Sequence, residues 1–148
     1  MLYLSQRDPK WSSLKLGASQ LTMGRYGCTT TGISMLSDYF GCYTSPDKIA
    51  KRKENYTPDG LILWTKLKFA KMVFTSRIQK YNKTAIETSL SDKDGAVLLQ
   101  VDGFHWVVGV KKNLIGGDYT IIDTWDGKKK NLKSAYKAIT GSAHFKRI

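Results

Sequence analysis

Gly27-Cys28-Thr29-Thr30-Thr31-Gly32-Ile33-Ser34-Met35-Leu36-Ser37-Asp38-Tyr39-Phe40-Gly41 is the stretch on which the fold turns. Ile33, Leu36 and Phe40 recur at helical spacing, and Gly41 stands where a left-handed residue closes a helix. Cys28 then occupies the first turn. Unpaired N–H groups and the positive end of the helix dipole stabilise a thiolate there. Cys42 lies just past the other end, where the dipole disfavours one. A helix of this length separates the two cysteines by about 20 Å. A disulfide needs Cα atoms roughly 4.4–6.8 Å apart, so they are not expected to pair.

Moving outward, Ser45-Pro46-Asp47 reads as a cap with proline at the first helical position, opening a basic helix through about Glu54. Thr57 to Gly60 is a turn. Leu61 to Lys71 resumes an amphipathic helical pattern through Leu63, Leu67 and Phe69, and Thr84 with Glu87 has capping-box spacing before another short helix. The second half changes character. Ala96–Val101, His105–Val110 and Tyr119–Trp125 are short runs rich in β-branched, aliphatic or aromatic residues. Gly116-Gly117 suggests that the last two form a hairpin. Lys128–Lys133 reads as a basic turn and Ala143–Ile148 as a final strand. Helices followed by strands predict an α+β fold, with N-terminal helices packed on a C-terminal antiparallel sheet. No repeat or linker divides the chain, so one domain over residues 1–148 is expected.

Composition narrows the function. Lys and Arg number 24 against 12 Asp and Glu, a net charge of +12 that attracts polyanions. Lys128, Lys129, Lys130 and Lys133 are the candidate polyanion contact. No apolar run is long enough for a transmembrane helix. Arg7 and Asp8 interrupt the start too early for a signal peptide, so synthesis as a cytoplasmic protein is expected, with release or delivery to a cell wall open. Two Cys and two His without a C-x-x-C pair make a metal site unexpected.

A thiol at a helix start needs a base. His105 opens a strand directly after Asp102-Gly103-Phe104, which puts it at a sheet end near the mouth of a cleft. His144 is better suited to packing or a surface role. Asp123 is the candidate orienting acid. Residue numbers 105 and 123 sum to an even number, so a hairpin paired about an integer centre puts both side chains on one face. They are opposite if the centre is residue 114 and diagonal if it is 115. Asp102 and Asp126 are the rival orienters, and Trp125 is placed to shield the pair from water. Gln6 joins the Cys28 N–H as the second candidate donor to an oxyanion.

Together, Gln6-x-Asp8-x-x-Trp11, Gly27-Cys28-Thr29-Thr30-Thr31 with its Met35-bearing helix, His105-Trp106-Val107-Val108 and Ile122-Asp123-x-Trp125-x-Gly127 resemble a known family. It is that of the papain-like cysteine peptidases of the bacteriocin-leader-processing, or double-glycine peptidase, type. The resemblance spans residues 3 to about 127. It implies a papain-like fold without a cofactor, Cys28 as nucleophile, His105 as general base, Asp123 as orienting acid and Gln6 as oxyanion donor. Two features depart from the family. Thr124 stands where relatives often carry proline, and the gap from Gln6 to Cys28 is long, as in a stand-alone relative. The expected function is a monomeric cysteine hydrolase of bacterial or phage kind, cutting peptidoglycan peptides as an endolysin would, or a protein precursor. The alternative is a catalytically silent basic module that binds nucleic acid or an anionic envelope.

Overall fold

In the computed structural model, which describes residues 1–148, a single helical turn, α1 (Met23–Tyr26), runs through Gly27 into the twelve-residue helix α2 (Cys28–Tyr39). Gly41, with φ +81°, ends α2 as the pattern predicts. Its N–H donates to the Asp38 carbonyl at 3.0 Å and that of Cys42 to the Ser37 carbonyl at 2.9 Å, so the last free carbonyls are satisfied. Ile33, Met35, Leu36 and Phe40 are buried, and both cysteines are free.

α2 packs on a sheet of six antiparallel strands, ordered β1 (Met72–Ile78), β6 (Ile139–Arg147), β2 (Gly95–Val101), β3 (His105–Lys112), β4 (Tyr119–Asp123), β5 (Lys128–Asn131). The continuous apolar run of β2 is explained by cover on both faces. Ala96 and Leu98 meet α2, whereas Val97, Leu99 and Val101 meet Ile86 of helix α4 (Lys83–Ser91) and Leu132 of the short helix α5 (Leu132–Ala135). Gly32 permits the close approach of α2: a Cβ there would lie 2.9 Å from a Leu98 methyl. A third cluster, Trp11, Leu16, Met23, Ala50 and Tyr56, packs the N-terminal segment against helix α3 (Pro46–Ala50).

The α+β expectation holds, and several local expectations do not. Residues 61–71 form only a 3₁₀ turn at Trp64–Lys66. Trp64 stacks on Phe74 with centroids 5.6 Å apart and meets Trp106 at 5.3 Å, so this apolar segment covers the sheet in extended form rather than as a helix. α3 stops at Ala50 because Arg52 is extended, with ψ 98°. α4 is capped by Asn82, whose Oδ1 accepts the Ala85 N–H at 3.0 Å, which leaves Thr84 inside the helix. The basic turn at Lys128–Lys133 is instead strand β5 running into α5, and the last strand begins at Ile139. β1 escapes the pattern reading, though Val73, Phe74, Thr75 and Ile78 suit a strand. No helix is long and apolar enough to cross a membrane.

Candidate active site

Register decides whether His105 and Asp123 can meet. Near the hairpin tip β3 and β4 pair Lys112 with Tyr119 and Lys111 with Thr120. Continued unbroken, that register would put His105 and Asp123 on opposite faces of the sheet. A bulge between Gly109 and Lys111 inserts one residue into β3, after which Gly109 pairs with Ile121 and Val107 with Asp123. The frame beyond the bulge is centred on residue 115, so His105 and Asp123 share a face as diagonal neighbours. A one-residue insertion thus assembles the pair.

The turn before β3 fixes His105 at the strand start. Asp102, with φ +53°, and Gly103, with φ +81°, adopt left-handed backbone. The Asp102 carboxylate accepts the Lys137 N–H at 3.0 Å and the Ala138 N–H at 2.9 Å, clasping this turn to the entry of β6.

His105 Nε2 lies 2.8 Å from Asp123 Oδ1, in a pair that is almost wholly buried. The other ring nitrogen carries no side-chain hydrogen bond, and the Cys28 thiol is close enough to the ring to act on its charge. Burial alone would push the His105 pKa down. The hydrogen bond to Asp123 and the interaction with Cys28, with the charges those groups carry, outweigh burial and push it up to about 9. The Asp123 carboxyl is also opposed by burial, but it collects His105, Lys130 Nζ at 2.8 Å, the Tyr136 hydroxyl at 2.5 Å and the Trp125 N–H at 3.0 Å. These hold it well below the usual carboxylate range and fixed in orientation.

The N-terminal segment brings Gln6 between the residue after Asp123 and the helical turn that precedes Cys28. The Gln6 N–H donates to the Thr124 carbonyl at 2.8 Å, and its side-chain Nε2 donates to the Gly24 carbonyl of α1 at 3.2 Å. Gln6 is 1% exposed, and its Oε1 has no partner. Ser5 Oγ and Arg7 Nε both donate to the Trp125 carbonyl, at 2.8 and 2.9 Å, pinning the residues on either side. Gly127, with φ +72°, makes room for this strap, since a Cβ there would meet the Leu4 carbonyl carbon at 3.1 Å. Thr124, where relatives often carry proline, is held beside the acid by its buried hydroxyl, which donates to the Trp106 carbonyl at 2.6 Å.

The remaining candidates are placed elsewhere. His144 is wedged between Ser89 Oγ at 2.7 Å and Ser142 Oγ at 2.8 Å, and burial lowers its pKa. Asp102 clasps its turn, and Asp126 pairs with Lys130 at 2.9 Å, so neither rival orients His105. Trp125 is not the shield: it is 41% exposed beneath the Arg7 guanidinium, and Tyr136, 5.5 Å from the His105 ring, covers the pair instead. The expected basic patch is also thinner than its sequence suggests. Lys130 is turned inward to Asp123, whereas Lys128, Lys129 and Lys133 stay exposed, with Lys133 Nζ donating to the Gly116 carbonyl at 2.6 Å. Lys130 and Tyr136 are the site residues that sequence reasoning missed. Only the β4–β5 register, which pairs Asp123 with Lys128 and so puts Lys130 diagonally on its face, would have found the lysine.

A cleft of about 180 Å³ opens beside Cys28, with Tyr56, Leu61, Ile62, Phe104 and Trp106 among its walls. A cavity of about 320 Å³ between Tyr81, Tyr119, Leu132 and Lys137 touches neither Cys28 nor His105. No three His, Cys, Asp or Glu side chains gather as metal ligands would. What fold and site define is an α+β domain with a Cys-His-Asp constellation at a helix start and a sheet end. The chain matches no protein-family model, no curated protein and no solved structure.

Proposed function

We propose that the protein is a cysteine peptidase of papain-like design, hydrolysing amide bonds through Cys28, His105 and Asp123 with Gln6 completing the oxyanion site. One observation carries this reading: the His105 ring is fixed at Nε2 by the Asp123 carboxylate at 2.8 Å, within electrostatic reach of a thiol on the first turn of a helix. A nucleophile, a base and a group that orients the base are the parts acyl transfer requires.

In the proposed reaction the Cys28 thiolate attacks the scissile carbonyl carbon while His105 stands as imidazolium. The oxyanion that forms is met by the Cys28 N–H and by an N–H of Gln6, whose Nε2 has a second proton beyond the one given to Gly24. His105 gives its proton to the departing amine as the C–N bond breaks, leaving a thioester on Cys28. Water, deprotonated by His105, then attacks the thioester, and the acid leaves as the thiolate returns.

The cleft supports a choice among substrates. Its aromatic and aliphatic walls favour a polypeptide with a bulky apolar side chain beside the cut bond. Bacterial wall peptides, made largely of small and charged residues, would leave those walls uncovered. A protein precursor is the favoured substrate. The test is incubation with a mixed peptide library and, separately, with bacterial cell walls, with Cys28→Ala alongside and mass spectrometry reading new amines. The reading expects wild-type-specific cuts in the library, enriched in apolar residues near the bond. It is overturned if neither substrate yields such amines and iodoacetamide labels Cys28 no faster than Cys42.

Gln6→Ala is expected to lower kcat by about 10²–10³-fold with little change in KM, since an oxyanion donor acts chiefly in the transition state. Steady-state kinetics on a cleaved library peptide would decide, and a change confined to KM would contradict the role.

A further inference from the structure

β5 sends a lysine side chain into the carboxylate that orients His105. Lys130 Nζ lies 2.8 Å from Asp123 Oδ2 and 2.9 Å from Asp126 Oδ2, with its side chain 28% exposed. The Tyr136 hydroxyl donates to the same Oδ2 at 2.5 Å. Oδ1 is taken by His105 at 2.8 Å and the Trp125 N–H at 3.0 Å. The two carboxylate oxygens therefore have separate tasks, one facing the imidazole and the other a cation and a phenol.

We propose that Lys130 is a positioning residue of the catalytic apparatus. Paired with Oδ2, its ammonium fixes the carboxylate plane so that Oδ1 faces His105, and it offsets part of the negative charge that holds His105 protonated. This rests on the reading of Cys28, His105 and Asp123 as a triad. The charged and titratable groups facing the pair are Cys28 from α2, His105 from β3, Asp126 from the β4–β5 turn, Tyr136 beyond α5 and, acting on Tyr136, Asp102. Lys130 is the cation in contact with the carboxylate. Without it the charge of Asp123 acts on the imidazolium with less opposition, so His105 holds its proton to higher pH. A base that keeps its proton too long cannot accept one from the attacking water.

The experiment compares Lys130→Met, Lys130→Gln and Lys130→Arg. The chain has two histidines, so an NMR pH titration follows His105 with His144, held by Ser89 and Ser142, as an internal reference. K130M and K130Q are expected to raise the His105 midpoint by about one pH unit, the size of effect a charge at this range exerts, while K130R leaves it unchanged. K130M should also lower kcat/KM by about tenfold or more, with K130Q, which keeps a donor for Oδ2, between it and wild type. A structural loss alone would not move the midpoint of a folded variant. K130Q supplies the answer if K130M fails to fold. A His105 midpoint unmoved in the folded neutral variants, or a K130R variant that shifts as K130M does, overturns the proposal. A shift with no cleavage by the wild type and with Cys28 labelled no faster than Cys42 would uphold the coupling of Lys130 to His105 and overturn the triad reading instead.

Discussion

Cys28→Ala is expected to abolish amide hydrolysis, by about six orders of magnitude in kcat, while the protein stays folded. Removing a covalent nucleophile that acts as a unit with its base costs on that scale. Structure gives little reason for collateral damage. Cys28 sits at the edge of the main core, 9% exposed, and alanine is the best helix former for the first turn of α2. The ring of His105 keeps its bond to Asp123. Cys42 is half-buried beyond the other end of α2 and both histidines are engaged by other partners, so Cys42→Ala should leave turnover unchanged. Rates of both variants on one cleaved peptide, with circular dichroism as a check on folding, test the prediction. Cleavage by C28A at more than a trace would remove Cys28 from the chemistry.

Asp123→Asn is expected to cost about 10³–10⁴-fold in kcat, because an amide in place of the carboxylate orients the imidazole in the wrong tautomer. Here the substitution reaches further than the base. Asp123 is 1% exposed and accepts from His105, Lys130, Tyr136 and the Trp125 N–H. An amide has one acceptor oxygen and turns two donors on these donors, so buried groups are left unpaired. A lower melting temperature should accompany the lost activity. The pH profile should change as well. In the wild type the imidazolium persists until pH rises through about 9, so activity should fall on the alkaline side from there. In D123N the charge supporting the imidazolium is gone, and that limb should move to lower pH. Kinetics across pH and a thermal melt check both parts; a D123N enzyme with near wild-type kcat would show that Asp123 does not serve His105.

Much of this site is legible in the sequence because its signals are local. The helix from Cys28 announces itself by three apolar residues at helical spacing and a closing glycine, and strand β3 by a β-branched run after a turn. Parity was enough to nominate Asp123 on condition of an integer centre, and the bulge at residues 109–111 supplies that condition. Gly109 inside the β3 run is the residue type that marks a bulge, but a strand glycine equally marks a close backbone approach, as to Val97 here, so the condition was not settled by the sequence. The failures share a cause. Leu61–Lys71 has apolar spacing that fits a helix or a covering ribbon equally, and contact of Trp64 with Phe74 and Trp106 decided for the ribbon. Lys128–Lys130 looks like a solvated run until strand pairing turns one of its members inward. Trp125 looks like a shield by sequence distance, but the backbone turns after Asp123 and delivers it to Arg7. Each is a case of tertiary contact overriding a local pattern.

The proposed chemistry requires an imidazolium held near a sulfur, and an NMR titration of His105 reads that state directly. In the wild type the ring should titrate near 9, well above the ordinary 6.5, and in C28A the midpoint should fall by a unit or more as the support from the thiol is lost. A His105 that titrates at or below 6.5, or whose midpoint is indifferent to the removal of Cys28, would contradict it.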